Sequence, residues 1–236
     1  MPSARPSSIS EKVDFEHDIE LDPGPCIRDR PRPVPPQDVE ELRQHIQSLL
    51  DASIIKPSTS PCASPIVLVR KKNGSLRMCV DYRQVNARTI RDCYALPKIE
   101  ELFMTLSGAK FFTTIYLSKA YYQVPLTERA KKISAFTTPF GLFEFQRLSF
   151  GLVNAPMTFQ RLMERCFQDM NLAELIIFLD DVLVHAKSLE ELEERTINVL
   201  ARLRKYGLKH VLCERSVSFR FSPYSRRDPT HQIRSK

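Results

Sequence analysis

The chain has 236 residues, of which 42% are hydrophobic and 27% charged, and its net charge is +7. This composition suits a folded protein with one large or two small domains and excludes a wholly disordered chain. No apolar run approaches the roughly 20 residues of a membrane span, and the first ten residues lack the apolar core of a secretory signal, so we expect an intracellular protein.

The N-terminal part, residues 1–37, is rich in proline and polar groups. It predicts an extended lead-in rather than a packed element. A helix is expected to follow, with Asp38 as its N-cap and Glu41 completing a capping box. Apolar residues recur at helical spacing and predict one buried face on this helix. They are Val39, Leu42, Ile46, Leu49 and Leu50.

The next segments predict strands and a short helix. Two apolar runs, 66–69 and 76–80, flank a Lys-Lys-Asn-Gly turn and predict a β-hairpin with a basic tip. Residues 97–106 predict a short helix that ends at Gly108, and residues 111–117 predict a strand.

Two more helices are expected in the second half of the chain. Asn154-Ala155-Pro156 predicts a helix start, because proline suits the first helical turn. Ser188 and Glu191 predict another capping box, and Gly207 suits the end of the helix that follows. Strands and helices alternate without a βαβ repeat, which favours an α+β fold.

The end of the chain differs in composition. Residues 201–236 hold ten Lys and Arg against two Asp and Glu, so the rest of the chain is close to neutral. Residues 220–236 lack apolar periodicity and predict a disordered basic tail. The six cysteines have no metal-binding spacing and indicate reduced thiols. They are Cys26, Cys62, Cys79, Cys93, Cys166 and Cys213.

Two adjacent carboxylates, Asp180 and Asp181, lie between apolar runs of β-formers in residues 175–184. The pattern predicts a hairpin whose turn carries both acids. Apolar flanks would hold the pair partly dehydrated, where like charges repel unless a cation lies between them. Mg²⁺ prefers such oxygen ligands and serves phosphoryl and nucleotidyl transfer, which suggests a metal site. A solvated turn in an ordinary hairpin explains this segment alone equally well.

Several motifs follow one another in a recognisable order. After a lead-in at His17-Asp18-Ile19, they are Ile54-Ile55-Lys56-Pro57-Ser58, Ser64-Pro65-Ile66-Val67-Leu68-Val69, Arg77-Met78-Cys79-Val80-Asp81-Tyr82-Arg83-Gln84-Val85-Asn86, Phe150-Gly151-Leu152-Val153-Asn154-Ala155-Pro156-Met157-Thr158-Phe159-Gln160 and Phe178-Leu179-Asp180-Asp181. Together they resemble the reverse transcriptase of gypsy-type LTR retrotransposons, part of a retrovirus-related Pol polyprotein. The resemblance covers about residues 15–219.

This resemblance implies a right-hand polymerase fold with fingers and palm subdomains. Residues 38–110 would form fingers with the start of the palm. Residues 111–219 would form the palm, with a fingers insertion near residues 124–150. A thumb and an RNase H domain are expected to be absent.

The resemblance also implies partners and residue roles. Asp180 and Asp181 would be catalytic ligands of Mg²⁺ or Mn²⁺, and the partners would be dNTPs and an RNA or DNA template–primer. In the nucleotide pocket, Lys71 and Arg77 would bind the triphosphate, together with the backbone at Lys119 and Ala120. Tyr121 would act as a gate against the ribose 2′-hydroxyl. Phe150 and Gly151 would form the floor.

Simpler explanations for parts of this pocket stay open at this point. Lys71 could be an exposed lysine of a turn. Tyr121 and Tyr122 could be an aromatic pair that packs at the end of a strand. Asn154-Ala155-Pro156 could serve only as a helix start.

Tyr116 departs from the family pattern, which implies a third carboxylate on the strand of residues 111–117. A phenol is neutral at pH 7 and is a poor ligand for a hard cation. We therefore expect nucleotidyl transfer to be impaired by roughly 10²–10⁴-fold. The alternative is a catalytically inactive remnant that acts at most as a nucleic-acid-binding protein, with the basic tail providing salt-sensitive binding.

Overall fold

Two sheets share one hydrophobic core in the computed structural model, which describes residues 15–95, 102, 104–178 and 181–213. This mixture of sheet and helix confirms the predicted α+β class. The described strands are β1 (Ile55–Pro57), β2 (Ser64–Arg70), β3 (Leu76–Val80), β4 (Phe111–Leu117), β5 (Phe136–Thr138), β6 (Gly141–Phe145), β7 (Leu175–Phe178), β8 (Asp181–Ala186) and β9 (His210–Cys213).

The first sheet has five described strands in the order β1-β6-β5-β2-β3. Its neighbouring strands are antiparallel, except for the parallel pair β2 and β5. The predicted basic-tipped hairpin is confirmed as β2 and β3. In its turn the Asn73 side chain accepts the Ser75 N–H, and Gly74 takes a φ of 83° that favours glycine.

The second sheet has four described strands, all antiparallel, in the order β7-β8-β4-β9. The predicted strand of residues 111–117 is confirmed as β4. The predicted acidic hairpin is confirmed as β7 and β8, but Asp181 is the first residue of β8, paired with Phe178, and not a turn residue as predicted. Leu179 and Asp180 lie outside the described residues. Ile115 of β4 and Val182 of β8 are fully buried on one face of this sheet. Because side chains alternate between faces along a strand, those of Tyr116 and Asp181 lie on the other face.

Helices flank both sheets. The described helices are α1 (Val39–Asp51), α2 (Arg83–Arg88), α3 (Glu128–Ile133), α4 (Ala155–Cys166) and α5 (Leu189–Lys205), with 3-10 turns at Pro36–Asp38 and Ala120–Gln123. The second sheet packs against α4 through β7 and against α5 through β4 and β8. The predicted helix of residues 97–106 lies mostly outside the described residues, and the predicted tail lies wholly outside them. Along the described chain, no helix has the length and apolar character to span a membrane.

One of the two predicted capping boxes is confirmed. At the start of α5, the Ser188 hydroxyl accepts the Glu191 N–H at 3.2 Å, and the Glu191 carboxylate accepts the Lys187 N–H at 2.8 Å. Gly207 follows the last turn with a φ of 70°, as the predicted helix end requires.

The capping box at Asp38 is wrong, although the helix itself is confirmed. The preceding 3-10 turn leaves Asp38 in a helical conformation, and its side chain makes no cap hydrogen bond. Instead, both Asp38 and Glu41 pair with Arg70 of β2, and Glu41 also accepts the Leu76 N–H at 2.8 Å. The two acids therefore anchor the β2–β3 hairpin to α1, because a guanidinium offers several donors to carboxylates.

The prediction of an unpacked lead-in is wrong for residues 15–28, which we call the N-terminal strap. Ile19 is 1% exposed and belongs to the main core. The His17 N–H donates to the Pro125 carbonyl at 2.9 Å, and His17 Nδ1 lies 2.7 Å from the Thr158 hydroxyl of α4. A few apolar and polar side chains thus hold an extended segment that has no helical or strand periodicity of its own.

We expect His17 to make folding stability depend on pH. Burial lowers its pKa to about 4, against a smaller opposing effect of Asp18 and Asp92. The unfolded chain takes up the proton below about pH 6.5, whereas the folded chain does so only near pH 4. The contribution of His17 to the free energy of unfolding is therefore fully present above about pH 6.5. It falls by about 3 kcal/mol as the pH drops from 6.5 to 4.

The measurement is urea unfolding between pH 7 and pH 4 for the wild type and His17→Asn. Asparagine keeps a hydrogen-bonding group near Thr158 but does not titrate in this range. The wild type should lose more stability than the variant as the pH falls. Parallel losses in both chains would contradict the role of His17.

Candidate active site

Tyr116 and Asp181 face each other across the centre of the second sheet. The antiparallel register of β4 and β8 makes them direct Cα partners. Their sheet neighbours Ile115 and Val182 point into the core, whereas the Tyr116 side chain is 45% exposed. The predicted third-carboxylate position thus lies opposite one acid of the Asp-Asp pair.

The described residues at this position do not by themselves form a Mg²⁺ site. Within residues 15–95, 102, 104–178 and 181–213, no cluster of three or more His, Cys, Asp or Glu side chains is suited to hold a metal ion. Asp180 lies outside the described residues, and Tyr116 offers a neutral phenol oxygen. A hard cation that requires several oxygen ligands finds one described carboxylate here, that of Asp181.

The turn after β4 has an unusual backbone. Lys119 adopts the left-handed conformation with φ 49° and ψ 48°, and the 3-10 turn of Ala120–Gln123 follows directly. Successive left- and right-handed residues can direct their N–H groups towards one point and so form an anion-binding nest. Left-handed non-glycine residues are strained and need support from their surroundings.

Gln123 supplies that support, and the sequence patterns missed it. Its amide nitrogen donates to the Ser118 and Lys209 carbonyls, each at 2.8 Å, and its amide oxygen accepts the Lys209 N–H at 2.6 Å. The side chain is buried, so these bonds are shielded from water. Gln123 therefore fixes the turn between β4 and the nest.

Tyr121 belongs to an aromatic cluster at one wall of the site. Its ring centroid lies 4.9 Å from that of Phe150 and 5.5 Å from that of Phe159. Phe150 also meets Tyr122 edge-on at 5.8 Å and remains 47% exposed. Tyr121 is thus packed like a core residue on one side, while Phe150 gives the cluster an open apolar surface.

Gly151 continues this wall into a loop that Asn86 holds. The Asn86 amide donates to the Gly151 carbonyl at 2.7 Å and accepts the Val153 N–H at 2.9 Å. Gly151 has a φ of 94°, and a Cβ there would meet Tyr82 and Val80 only at ordinary contact distances of 3.5 and 3.6 Å. The glycine is therefore needed for its backbone conformation rather than for space.

Asn154 holds the same region differently from the prediction. It precedes α4, as expected, but its side chain makes no cap hydrogen bond. The Asn154 amide instead accepts the Asp92 N–H at 3.1 Å and donates to the Ile90 carbonyl at 2.8 Å. It therefore ties the loop after α2 to the start of α4.

Basic groups of both sheets approach the site. Burial lowers the pKa of His45 on α1, and the charges of Lys119 and Lys71 lower it further. Burial and Cys79 raise the pKa of Tyr122, whereas Arg77 of β3 lowers it. Lys71 of the hairpin turn and Lys119 are thus both electrostatic neighbours of His45, and Arg77 is an electrostatic neighbour of Tyr122 in the aromatic cluster.

A family model described as "Reverse transcriptase (RNA-dependent DNA polymerase)" matches residues 69–211, more than half of the chain. The chain is 33% identical over 181 residues to the retrovirus-related Pol polyprotein from transposon 412 of Drosophila melanogaster, covering 74% of this chain and 15% of that protein. It is 34% identical over 191 residues to the enzymatic polyprotein of cauliflower mosaic virus, strain CM-1841, covering 79% of this chain and 28% of that protein.

The fold also matches a solved structure. The foamy viral protease-reverse transcriptase in complex with an RNA/DNA hybrid aligns with a TM-score of 0.78 at 21% identity, covering 89% of this chain and 28% of that chain. The chain spans less than a third of each of these three relatives. These likenesses confirm the predicted resemblance to retroelement reverse transcriptases, while the gypsy-type assignment stays a prediction.

We expect Asn86→Ala to loosen the loop after Phe150. The substitution removes two hydrogen bonds to backbone groups of residues 151 and 153, so the free energy of unfolding should fall by about 1–2 kcal/mol. Denaturant unfolding measures this loss. The matched control is Asn73→Ala in the exposed hairpin turn, which should cost clearly less. Equal losses in the two variants would contradict a positioning role of Asn86.

Proposed function

The chain belongs to the reverse transcriptase family, and we propose that it forms the fingers and palm of a retroelement RNA-directed DNA polymerase whose nucleotidyl transfer is impaired at Tyr116. Residues 38–110 and 124–150 serve as fingers, and residues 111–123 and 151–206 serve as palm. The division of strands between the five-stranded and four-stranded sheets supports this assignment. RNA templates and dNTPs are intracellular, so the chain works inside the cell.

The observation that carries the proposal is the pairing of Tyr116 with Asp181 on the exposed face of the second sheet. A polymerase must present carboxylates together at the primer end to neutralise charge that develops during phosphoryl transfer. In this chain one of the expected positions holds a phenol. The scaffold that would present three acids is therefore retained, while one acid is replaced.

The incoming dNTP binds between the two sheets. Lys71, Arg77 and Lys119 neutralise its triphosphate, and the backbone N–H groups at Lys119 and Ala120 donate to the phosphate oxygens. The left-handed conformation of Lys119 and the electrostatic proximity of Lys71 and Lys119 to His45 support this placement.

The aromatic wall positions the sugar of the nucleotide. Tyr121 packs against Phe150 and Phe159, and this packing supports a role for its ring as the gate against a ribose 2′-hydroxyl. Phe150 and Gly151 form the floor, and Asn86 keeps the floor loop in place. The primer and template lie along the exposed face that carries Tyr116 and Asp181. A foamy viral relative of the same fold in complex with an RNA/DNA hybrid supports this partner class.

Reverse transcriptases generally use divalent metal ions, and we propose Mg²⁺ or Mn²⁺ held by Asp180 and Asp181. Such an ion would supply charge neutralisation at the transferring phosphoryl group. Because Tyr116 adds no carboxylate, the donor set is incomplete and the ion is bound weakly. The chain's own contribution is then to bind and orient the nucleotide and the primer.

Primer extension on an RNA template, with Mg²⁺ and with Mn²⁺, tests the proposal. Tyr116→Asp should extend the primer roughly 10²–10⁴-fold faster than the unmodified chain, because it completes the carboxylate set. Tyr116→Phe is the matched control and should remain as slow as the unmodified chain. Adding Asp180→Asn to Tyr116→Asp should abolish the gain.

Two outcomes would count against the proposal. If the unmodified chain extends primers as fast as Tyr116→Asp, the phenol does not impair transfer. If Tyr116→Asp folds and binds template–primer but remains inactive, a polymerase scaffold disabled at this one position is the wrong description, and nucleic-acid binding alone remains.

We also expect Mg²⁺ to stabilise the Tyr116→Asp variant but not the unmodified chain. Tyr116→Asp places a second carboxylate directly opposite Asp181, so without a divalent ion like-charge repulsion should lower its melting temperature. Mg²⁺ should reverse this loss, since a ligand that binds the folded state stabilises it. Thermal unfolding with and without Mg²⁺ measures the effect. Tyr116→Asn, which adds no charge, and the unmodified chain should respond little.

A further inference from the structure

We propose that Cys26 and Cys62 form a reversible disulfide that attaches the N-terminal strap to the segment just before β2 when the protein meets a peroxide. Neither cysteine is among the residues proposed to bind the nucleotide, so formation of this bond does not depend on polymerase activity. Both residues are free thiols in the reduced protein, Cys26 exposed and Cys62 half-buried.

The backbone brings the two cysteines together. The Ala63 N–H donates to the Ile27 carbonyl at 2.9 Å, and the Asp29 N–H donates to the Ala63 carbonyl at 3.0 Å. These bonds make a parallel bridge between Arg28 and Ala63. Cys26 lies two residues before this bridge and Cys62 one residue before it, on neighbouring segments, and Cys26 is close enough to raise the pKa of the Cys62 thiol.

Both segments are also held by side chains. Arg28 Nε donates to the Pro61 carbonyl at 2.8 Å. The Ser60 hydroxyl accepts the Cys62 N–H at 3.1 Å and donates to the Lys132 carbonyl at 2.6 Å. The backbone beside both cysteines is therefore held in place before oxidation.

The two thiols have different roles in the reaction. Burial raises the pKa of the Cys62 thiol, and Cys26 raises it further, so Cys62 is the less reactive thiol towards the peroxide. The exposed Cys26 sulfur attacks one oxygen of hydrogen peroxide and breaks the O–O bond. This forms a sulfenic acid, and the thiol proton leaves with the displaced hydroxide as water. The Cys62 sulfur then attacks the sulfenic sulfur and displaces a second water. In total, two thiols and one peroxide give one disulfide and two waters, and each sulfur loses one electron.

The other described thiols lack such an arrangement. Burial raises the pKa of Cys166 to about 12, which makes it unreactive. Cys79 lies within β3, and Cys93 is exposed, so these two serve as controls of comparable or greater accessibility. The proximity of Cys26 and Cys62, rather than exposure alone, makes this pair specific.

A bond at this place would restrict the unfolded chain. It would close a loop that contains α1, β1 and the 3-10 turn at Pro36–Asp38. Linking distant residues stabilises the folded state mainly by limiting the freedom of the unfolded one. We expect the melting temperature of the full chain to rise by roughly 5–15 °C on oxidation.

The test treats the full chain with hydrogen peroxide and maps its peptides by mass spectrometry without reduction. A cross-linked peptide that joins Cys26 to Cys62, together with the rise in melting temperature and its reversal by dithiothreitol, is the expected result. Cys26→Ser and Cys62→Ser should each lose both effects, whereas Cys79→Ser and Cys93→Ser should keep them.

Several results would overturn the proposal. They are cross-links that involve other cysteines, disulfide-linked dimers in place of the internal bond, or oxidation that stops at Cys26 as a sulfinic acid. Circular dichroism of each serine variant before treatment checks that it is folded. A variant that is folded and lacks only one of the two thiols, yet still shows the reversible rise, would equally refute the pairing.

Discussion

The antiparallel register between β4 and β8 determines which side chains face each other in the candidate active site. Ile115 and Val182 are direct partners, and both are fully buried beneath the helices that cover the second sheet. A one-residue shift in the pairing of the strands would expose such core side chains to solvent and bury Tyr116 in the core. The burial of Ile115 and Val182 therefore fixes the register. The next pair along the strands is therefore Tyr116 with Asp181, on the open face.

Amide side chains hold the loops around that face. Gln123, Asn86 and Asn154 each donate and accept hydrogen bonds with backbone groups far away in sequence. An amide can satisfy a carbonyl and an N–H at once, which suits it to closing a loop against a distant segment. In the proposed nucleotide pocket, these bonds would hold the surrounding loops in place before a ligand binds.

Local sequence patterns correctly predicted the elements that depend on interactions between residues close in sequence. The strand of residues 111–117, the basic hairpin and the Ser188 cap depend on neighbours in sequence, and the structure confirms them. The cap at Asp38 failed because a distant guanidinium, Arg70, competes for its carboxylate. The packing of the strap, the role of Gln123 and the meeting of Tyr116 with Asp181 are long-range, and only the family resemblance indicated the last of them. Asp180, predicted as a ligand, lies outside the described residues.

The exposure of Tyr116 has a consequence for how this chain can evolve. Nearly half of the ring is in solvent, so little packing depends on it, and replacing it would not open a cavity. Tyrosine codons differ from aspartate codons by a single base, at the first position. If Tyr116 stands at a carboxylate position as proposed, one point mutation separates this chain from an aspartate there, and the same step in reverse would silence an active relative without unfolding it.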